Sequence, residues 1–215
     1  MINGKQLNSL CKVLNVFTEE IRLDHSVAVD PAHVMMCVVE ETDLFGSCNA
    51  REGINLRQIL NMKIEDENFN VFFRNGRYVL ENEKRQYAFP CIDPETLIRP
   101  KPININIEST IETDAKTLLK AVEKCEMVSD HCTIHNGKIT ASSKASCIEA
   151  SIVLGDDDGN GKKCMYPINF LKRVAKVITG KVTIGYDNDC PMQLTWTDGY
   201  YHYRVYIAPR IEQEE

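Results

Sequence analysis

The chain has 215 residues, with 25 Lys and Arg against 31 Asp and Glu, a formal net charge of −6 and a pI near 5.5. That balance excludes a protein that wraps nucleic acid with its whole surface, though not one with a local basic face. A hydrophobic content of 43% suits a soluble protein of one large or two smaller domains, no apolar run approaches the roughly 20 residues of a membrane span, and nine cysteines without a CxxC point to reduced thiols inside a cell.

Leu7, Leu10, Leu14 and Phe17 recur at helical spacing and predict a helix from Gly4 to about Phe17, with Lys5 and Lys12 on another face. Extended segments are expected at Glu20–Leu23 and Val27–Glu40, the second broken at Asp30-Pro31. A second helix is expected over Asn55–Met62, with Leu56, Ile59 and Leu60 inward. Asn70–Leu80 reads as a hairpin, because two β-rich runs flank Asn75-Gly76, a strong turn signal. Lys84–Phe89 closes this half as a strand.

The run Phe89–Pro102, FPCIDPETLIRPKP, then holds four of the chain's eight prolines. Each fixes φ, removes a donor and holds its predecessor extended, so the run is read as a connector that is neither helix nor central strand. Ile92, Leu97 and Ile98 make it stickier than a plain spacer.

Beyond it, Ile103–Ile107 is expected as a strand and Asp114–Cys125 as a helix with Ala115, Leu118, Val122 and Cys125 inward. Cys132–His135 and Lys138–Ser142 form a second Asn-Gly hairpin. Cys147–Leu154 alternates, with Ile148, Ala150, Ile152 and Leu154 on one side. A fourth helix is expected over Ile168–Ile178, followed by strands at Val182–Tyr186, Met192–Trp196 and Tyr201–Ile207. Glu212–Glu215 reads as a frayed acidic end. Four helices beginning near residues 5, 55, 114 and 168, each followed by antiparallel strands, suggest one unit repeated four times. The fold class is therefore α+β: two similar domains of helices on antiparallel sheets, at 1–88 and 103–215, joined by a connector at 89–102.

Basic residues gather on the predicted helices. Lys5, Lys12, Arg57, Lys63, Lys116, Lys120, Lys124, Lys172, Arg173 and Lys176 make ten of the 25 Lys and Arg residues. In an acidic chain this suggests helices that face a phosphate backbone, which attracts positive charge without being read for sequence. Solvated helix faces would give the same pattern, and Lys63 does not share a face with Arg57. Asp156-x-Asp158-x-Asn160-Gly161 matches the start of an EF-hand loop, but Pro167 stands where the final glutamate should be, so it reads as a charged hairpin loop. Cys125, His131, Cys132 and His135 fit no standard zinc spacing and read as strand packing. No GxSxG, P-loop, dinucleotide fingerprint or HExxH occurs. No cofactor, metal site or catalytic residue is assigned, and the chain is not read as an enzyme.

Five further stretches carry a resemblance: AVDPAHV (Ala28–Val34), CIDPETL (Cys91–Leu97), MVSDH (Met127–His131), CPMQL (Cys190–Leu194) and YIAPRIEQEE (Tyr206–Glu215). In this order, and with the connector and the fourfold repeat, the chain resembles the proliferating cell nuclear antigen (PCNA) family of DNA sliding clamps, in particular its archaeal members. The resemblance implies a homotrimeric ring with sheets outside and helices lining a hole for double-stranded DNA. It also implies a processivity factor that tethers DNA polymerase, the clamp loader and other enzymes. DNA-facing residues would be Lys5, Lys12, Arg57, Lys116, Lys120, Lys124, Lys172, Arg173 and Lys176. Partners of the family insert a short peptide with aromatic anchors, and the matching positions here are Ala32, His33, Val34, Leu97, Pro100, Pro191, Tyr206, Ala208, Pro209 and Arg210. Subunits would join through edge strands at Lys84–Phe89, with Tyr87 a contact, and Cys147–Val153, with Ile148, Ala150 and Ile152. The location would be cytoplasmic and nucleoid-associated in an archaeon or virus, nuclear in a eukaryote, with no membrane partner.

The chain departs from the family in a nearly missing first strand, in several short loops, and in Arg99 where an apolar residue is common. Two alternatives stay open: a specialised or heterotrimeric clamp subunit, and a clamp-like scaffold that does not encircle DNA.

Overall fold

A computed structural model describes residues 1–23, 26–40, 45, 52–64, 66–98, 103, 105–143, 145–157 and 161–211. It divides into two units, Met1–Lys101 and Pro102–Glu215. The first contains β1 (Ile2–Asn3), α1 (Gly4–Leu14), β2 (Glu20–Arg22), β3 (Val27–Val29), β4 (Met35–Val39), β5 (Gly53–Asn55), α2 (Leu56–Leu60), β6 (Asn68–Arg74), β7 (Arg77–Glu81) and β8 (Gln86–Pro90). The second contains β9 (Ser109–Asp114), α3 (Ala115–Glu126), β10 (His131–His135), β11 (Lys138–Ser143), β12 (Ile148–Val153), β13 (Lys163–Pro167), α4 (Ile168–Ala175), β14 (Lys181–Tyr186), β15 (Met192–Thr197) and β16 (His202–Ile207).

Every helix follows a strand without a loop, and the junction residue explains how. Asn3 Oδ1 accepts from the N–H groups of Lys5 (2.9 Å) and Gln6 (3.4 Å), Asn55 from Gln58 (3.3 Å), and Asp114 from Lys116 and Thr117 (both 3.0 Å). Each keeps extended φ/ψ while satisfying the orphan donors of the first turn. The fourth junction, Pro167, has no side-chain cap, and Ile168 N–H donates to Asp130 O at 2.9 Å instead.

The repeat is thus strand, helix, then three strands, and its leading strand is exchanged within each unit. In the first, β1 pairs with β6 in the order β1-β6-β7-β8, while β5 pairs with β2. In the second, β9 pairs with β14 and β13 with β10, giving four strands β9-β14-β15-β16 and a sheet ordered β12-β11-β10-β13. Helices pack in pairs over these strands, α1 with α2 and α3 with α4. They bury Leu7, Leu10 and Leu14, Leu56 and Ile59, Leu118, Val122 and Cys125, and Leu171 and Val174. Each fully buried Leu or Val contributes about 1.5–3 kcal/mol. Gly4 allows the entry to α1 to press on the chain: its N–H donates to Glu67 O at 2.8 Å, and a Cβ there would lie 1.7 Å from Ile64 O.

Both Asn-Gly hairpins form as expected, with Asn75 and Gly76 at φ 52° and 69°, and Asn136 and Gly137 at 49° and 69°. Several expectations are corrected. Ile103–Ile107 holds no strand among its described residues, and Ile107 instead lies against Gly185. The strand begins later, as β9, where Ser109, Ile111 and Thr113 face inward. Two hydroxyl residues on the buried face hide that alternation. The first helix ends at Leu14, although Phe17 is still buried, and the fourth at Ala175 instead of Ile178. α2 is only five residues long, and Lys63 lies beyond it at φ 50°. Strands β5 and β13 were not foreseen. In the connector, Pro90 ends edge strand β8, and Pro94–Thr96 make one 3-10 turn capped by Asp93. Arg99, Pro100, Asp158–Asn160 and Glu212–Glu215, on which expectations also rested, lie outside the described residues.

Candidate DNA-facing, partner-binding and assembly surfaces

The exposed faces of the helices are basic. In α1 the exposed residues are Lys5 and Lys12, seven apart and opposite the core, and in α2 the one exposed residue is Arg57. In α3, Lys116, Lys120 and Lys124 form a stripe on the side away from Leu118, Ala121, Val122 and Cys125. Together the four helices carry eight Lys and Arg against two acids, Glu123 and Glu126, although the chain as a whole is acidic.

The cations are not equivalent. Lys172 is half-buried and bonded to Glu126, a hydrogen bond that raises its pKa and supplies its counter-charge. Arg57 pairs with Glu19 at 2.7 Å, Lys5 lies 3.7 Å from an exposed Asp66, and the Arg173 guanidinium sits 6.0 Å from the Phe170 ring centre. Lys116, Lys120, Lys124 and Lys176 are exposed and, among the described residues, form no ion pair.

In the first unit, two Asp-Pro turns shape a second surface. Asp30 is buried and accepts the N–H groups of Ala32 (3.1 Å), Val34 (2.7 Å) and Met35 (2.5 Å), which holds His33 at φ 56°. Asp93 Oδ1 accepts from Glu95 N–H at 2.9 Å and turns the connector. Gly53 and Ile92 exchange both backbone hydrogen bonds, at 3.0 and 2.8 Å, strapping the connector to β5. Leu97 Cδ1 lies 2.2 Å from where a Gly53 Cβ would be, so the leucine seats only on a glycine. A cavity of about 420 Å³ results, with Ala28, Val29, Pro31, Leu97 and Ile98 as its apolar wall and Glu19, Glu20 and Arg22 at its polar side. Of the expected peptide contacts, Leu97 lines it. Ala32, His33 and Val34 lie on the turn just after Pro31 and do not. The sequence reading missed Val29, Pro31 and Gly53. Asp-Pro was the available signal for Pro31, whereas nothing local marks Gly53.

In the second unit, Tyr206 is buried and paired across strands with Gln193, Pro191, Ala208 and Pro209 are half-buried, and Arg210 is exposed. The expected assembly strands are both at sheet edges. In β12, Ile148 and Val153 are 52% and 63% exposed, with Ala150 and Ile152 half-covered. In β8, Tyr87 is half-buried, edge-on to Phe69 at 5.9 Å, and its hydroxyl accepts from Arg85 at 3.4 Å. Cys132 and Ile134 point into the core as alternation predicted, and burial pushes the Cys125 thiol up to about 11 and Cys132 higher still, so both stay protonated. His135 Nδ1 engages Lys162 O at 2.8 Å.

A pair of units, each built from two strand–helix–three-strand repeats, with exposed basic helices and open edge strands, is the clamp class of fold. Among solved structures, the chain is similar to A. fulgidus PCNA, described with the C-terminal region of FEN-1 bound, at a TM-score of 0.80 and 21% identity, covering 99% of this chain and 98% of that one. It is also similar to Thermococcus kodakaraensis PCNA (TM-score 0.74, 18% identity, 98% of each chain). A structure of the PCNA2-PCNA3 complex of Sulfolobus tokodaii matches at 0.74 and 18%, over 99% of this chain and 98% of that one. Two curated DNA polymerase sliding clamps match in sequence: that of Archaeoglobus fulgidus, 24% identical over 250 residues with 100% of this chain and 98% of the relative covered, and that of Thermoplasma acidophilum, 23% identical over 241 residues with 99% and 98% covered. No protein-family model matches the chain. The fold is the PCNA clamp fold, and the resemblance read from the sequence is to archaeal sliding clamps. No described helix is long and apolar enough to cross a membrane.

Proposed function

We infer that the protein is a DNA sliding clamp, a ring that encircles duplex DNA and tethers replicative polymerase and other DNA-processing enzymes without chemistry of its own. The observation that carries this is the charge segregation: helices with a net +6 in a chain of net −6. Such a surface holds a polyanion without reading it, so the molecule stays on DNA yet slides. The domain organisation is a clamp unit at 1–88, a connector at 89–102 and a second clamp unit at 103–215. The ring is a homotrimer closed by pairing β8 of one subunit with β12 of the next, which removes two exposed edges per contact. Partner enzymes dock a short aromatic-anchored peptide; in the first unit Leu97 and the cavity beside it, and in the second unit Pro191, Tyr206 and Ala208–Arg210, are each candidate recognising residues. A soluble intracellular location follows from the archaeal relatives. A ring of unlike subunits is the second reading, favoured by the similarity to the S. tokodaii PCNA2-PCNA3 complex.

The test is topological. Light scattering of the purified chain should give the mass of three subunits. Once opened and closed on DNA by its loader, the ring should persist on circular duplex and be lost from linear duplex, with end blocks restoring retention. Equal retention on circular and unblocked linear DNA would sink the encirclement reading, and a monomer would favour unlike subunits or a scaffold.

A further inference from the structure

The segment that follows β16 is clasped to a neighbouring strand of its own unit. Arg210 donates its backbone N–H to Met165 O at 2.8 Å, so the chain beyond Ile207 docks on β13, the last strand of the β12-β11-β10-β13 sheet. Its guanidinium Nη1 lies 2.8 Å from Asp130 Oδ2 and 3.3 Å from His131 Nδ1. Asp130 is well placed as an anchor. Its carbonyl is fixed by Ile168 N–H at the start of α4, and its other carboxylate oxygen lies 2.7 Å from His131 Nδ1. Those partners, His131 first and Arg210 second, hold its carboxyl down to about 2, so it is ionised at neutral pH.

Ala208 and Pro209 are therefore suspended between two fixed ends, the ladder of β16 and the Asp130–Arg210 clasp. Proline fixes its own φ and keeps Ala208 extended, so little freedom is left once Arg210 is held. The ion pair is largely exposed, with side chains 76% and 47% accessible, and such pairs add little to global stability. Placing the segment is a better account of it.

We propose that Asp130 is a positioning residue for partner binding: through Arg210 it presents Ala208–Pro209 to a short peptide with aliphatic and aromatic anchors. This rests on the peptide-docking reading above. A segment already ordered loses less entropy when a ligand docks, so releasing it weakens binding without removing a contact.

The experiment titrates a fluorescent peptide carrying a glutamine, an aliphatic and two aromatic anchors against five proteins: the parent, Ala208→Glu, Asp130→Asn, Asp130→Arg, and Asp130→Arg combined with Arg210→Asp. Ala208→Glu is expected to bind at least about tenfold more weakly, because a charge is desolvated at the contact. Asp130→Asn should bind about threefold more weakly, the scale of one exposed ion pair. Asp130→Arg should be weaker still, and the double exchange should recover to within about twofold of the parent. In about 1 M salt, where such pairs are screened, the parent and Asp130→Asn should converge. Ring mass and melting temperature report folding throughout. If the parent fails to bind, or Ala208→Glu binds equally, the peptide reading itself falls. If Ala208→Glu is impaired while Asp130→Asn matches the parent at low salt, or if the exchange restores nothing, the positioning role is refuted and the docking reading stands.

Discussion

Replacing Lys120 with Ala is expected to change the salt dependence of DNA binding more than replacing Lys172 with Ala, although both are helix lysines. Lys120 is exposed in the middle of the α3 stripe with no ion pair among the described residues, whereas Lys172 already holds Glu126. A lysine that neutralises a phosphate releases a counterion, and log K changes with log salt by about 0.9 for each such contact. In a ring of three subunits Lys120→Ala removes three lysines, so the slope should fall by up to about 2.7. Lys172→Ala should lower it by less than about 1, because Glu126 has taken the place of the phosphate. A pair this open to solvent adds little to stability, so both variants should keep ring mass and melting temperature. Retention of the loaded ring on circular duplex, read across a salt titration at fixed pH, measures both slopes. Equal slope changes would show that the Glu126 pair opens on DNA. An unchanged slope for Lys120→Ala would show that α3 does not face the duplex.

Three further outcomes are expected. Tyr87→Ala should convert the ring to folded monomers at low micromolar concentration, since a central aromatic contact contributes about 2 kcal/mol or more to association; a trimer with unchanged dissociation by light scattering places the interface elsewhere. Gly53→Ala must displace Leu97, and should weaken the same labelled peptide by at least about threefold, the scale of one displaced apolar contact, with little change in the far-ultraviolet spectrum; parental affinity means that Leu97 is no part of the docking wall. Asp30→Ala strands three backbone N–H groups around a buried turn and should cost about 2–4 kcal/mol in urea unfolding; a loss below about 1 kcal/mol means that the turn is held by something other than its carboxylate.

The sequence determined most of what is local. Helix positions followed from the spacing of Leu7, Leu10 and Leu14 and of Leu118, Val122 and Cys125, because a helix's buried face is written every three to four residues. Both Asn-Gly hairpins were legible because two consecutive residues at positive φ select those amino acids. The location of basic residues on helices was legible too, being a count along the chain. Tertiary structure decided what depends on residues far apart. It placed β9 at Ser109–Asp114, since hydroxyl groups on an inward face carry no hydrophobic signal. It exchanged the leading strands β1, β5, β9 and β13 between repeats, a matter of pairing partners that short segments do not encode. It bound Lys172 to Glu126, separating two lysines that look alike in sequence. It seated Leu97 on Gly53 and Arg210 on Asp130, across 44 and 80 positions of chain. Such contacts are set by folding the whole unit, because neither partner carries a local pattern that names the other.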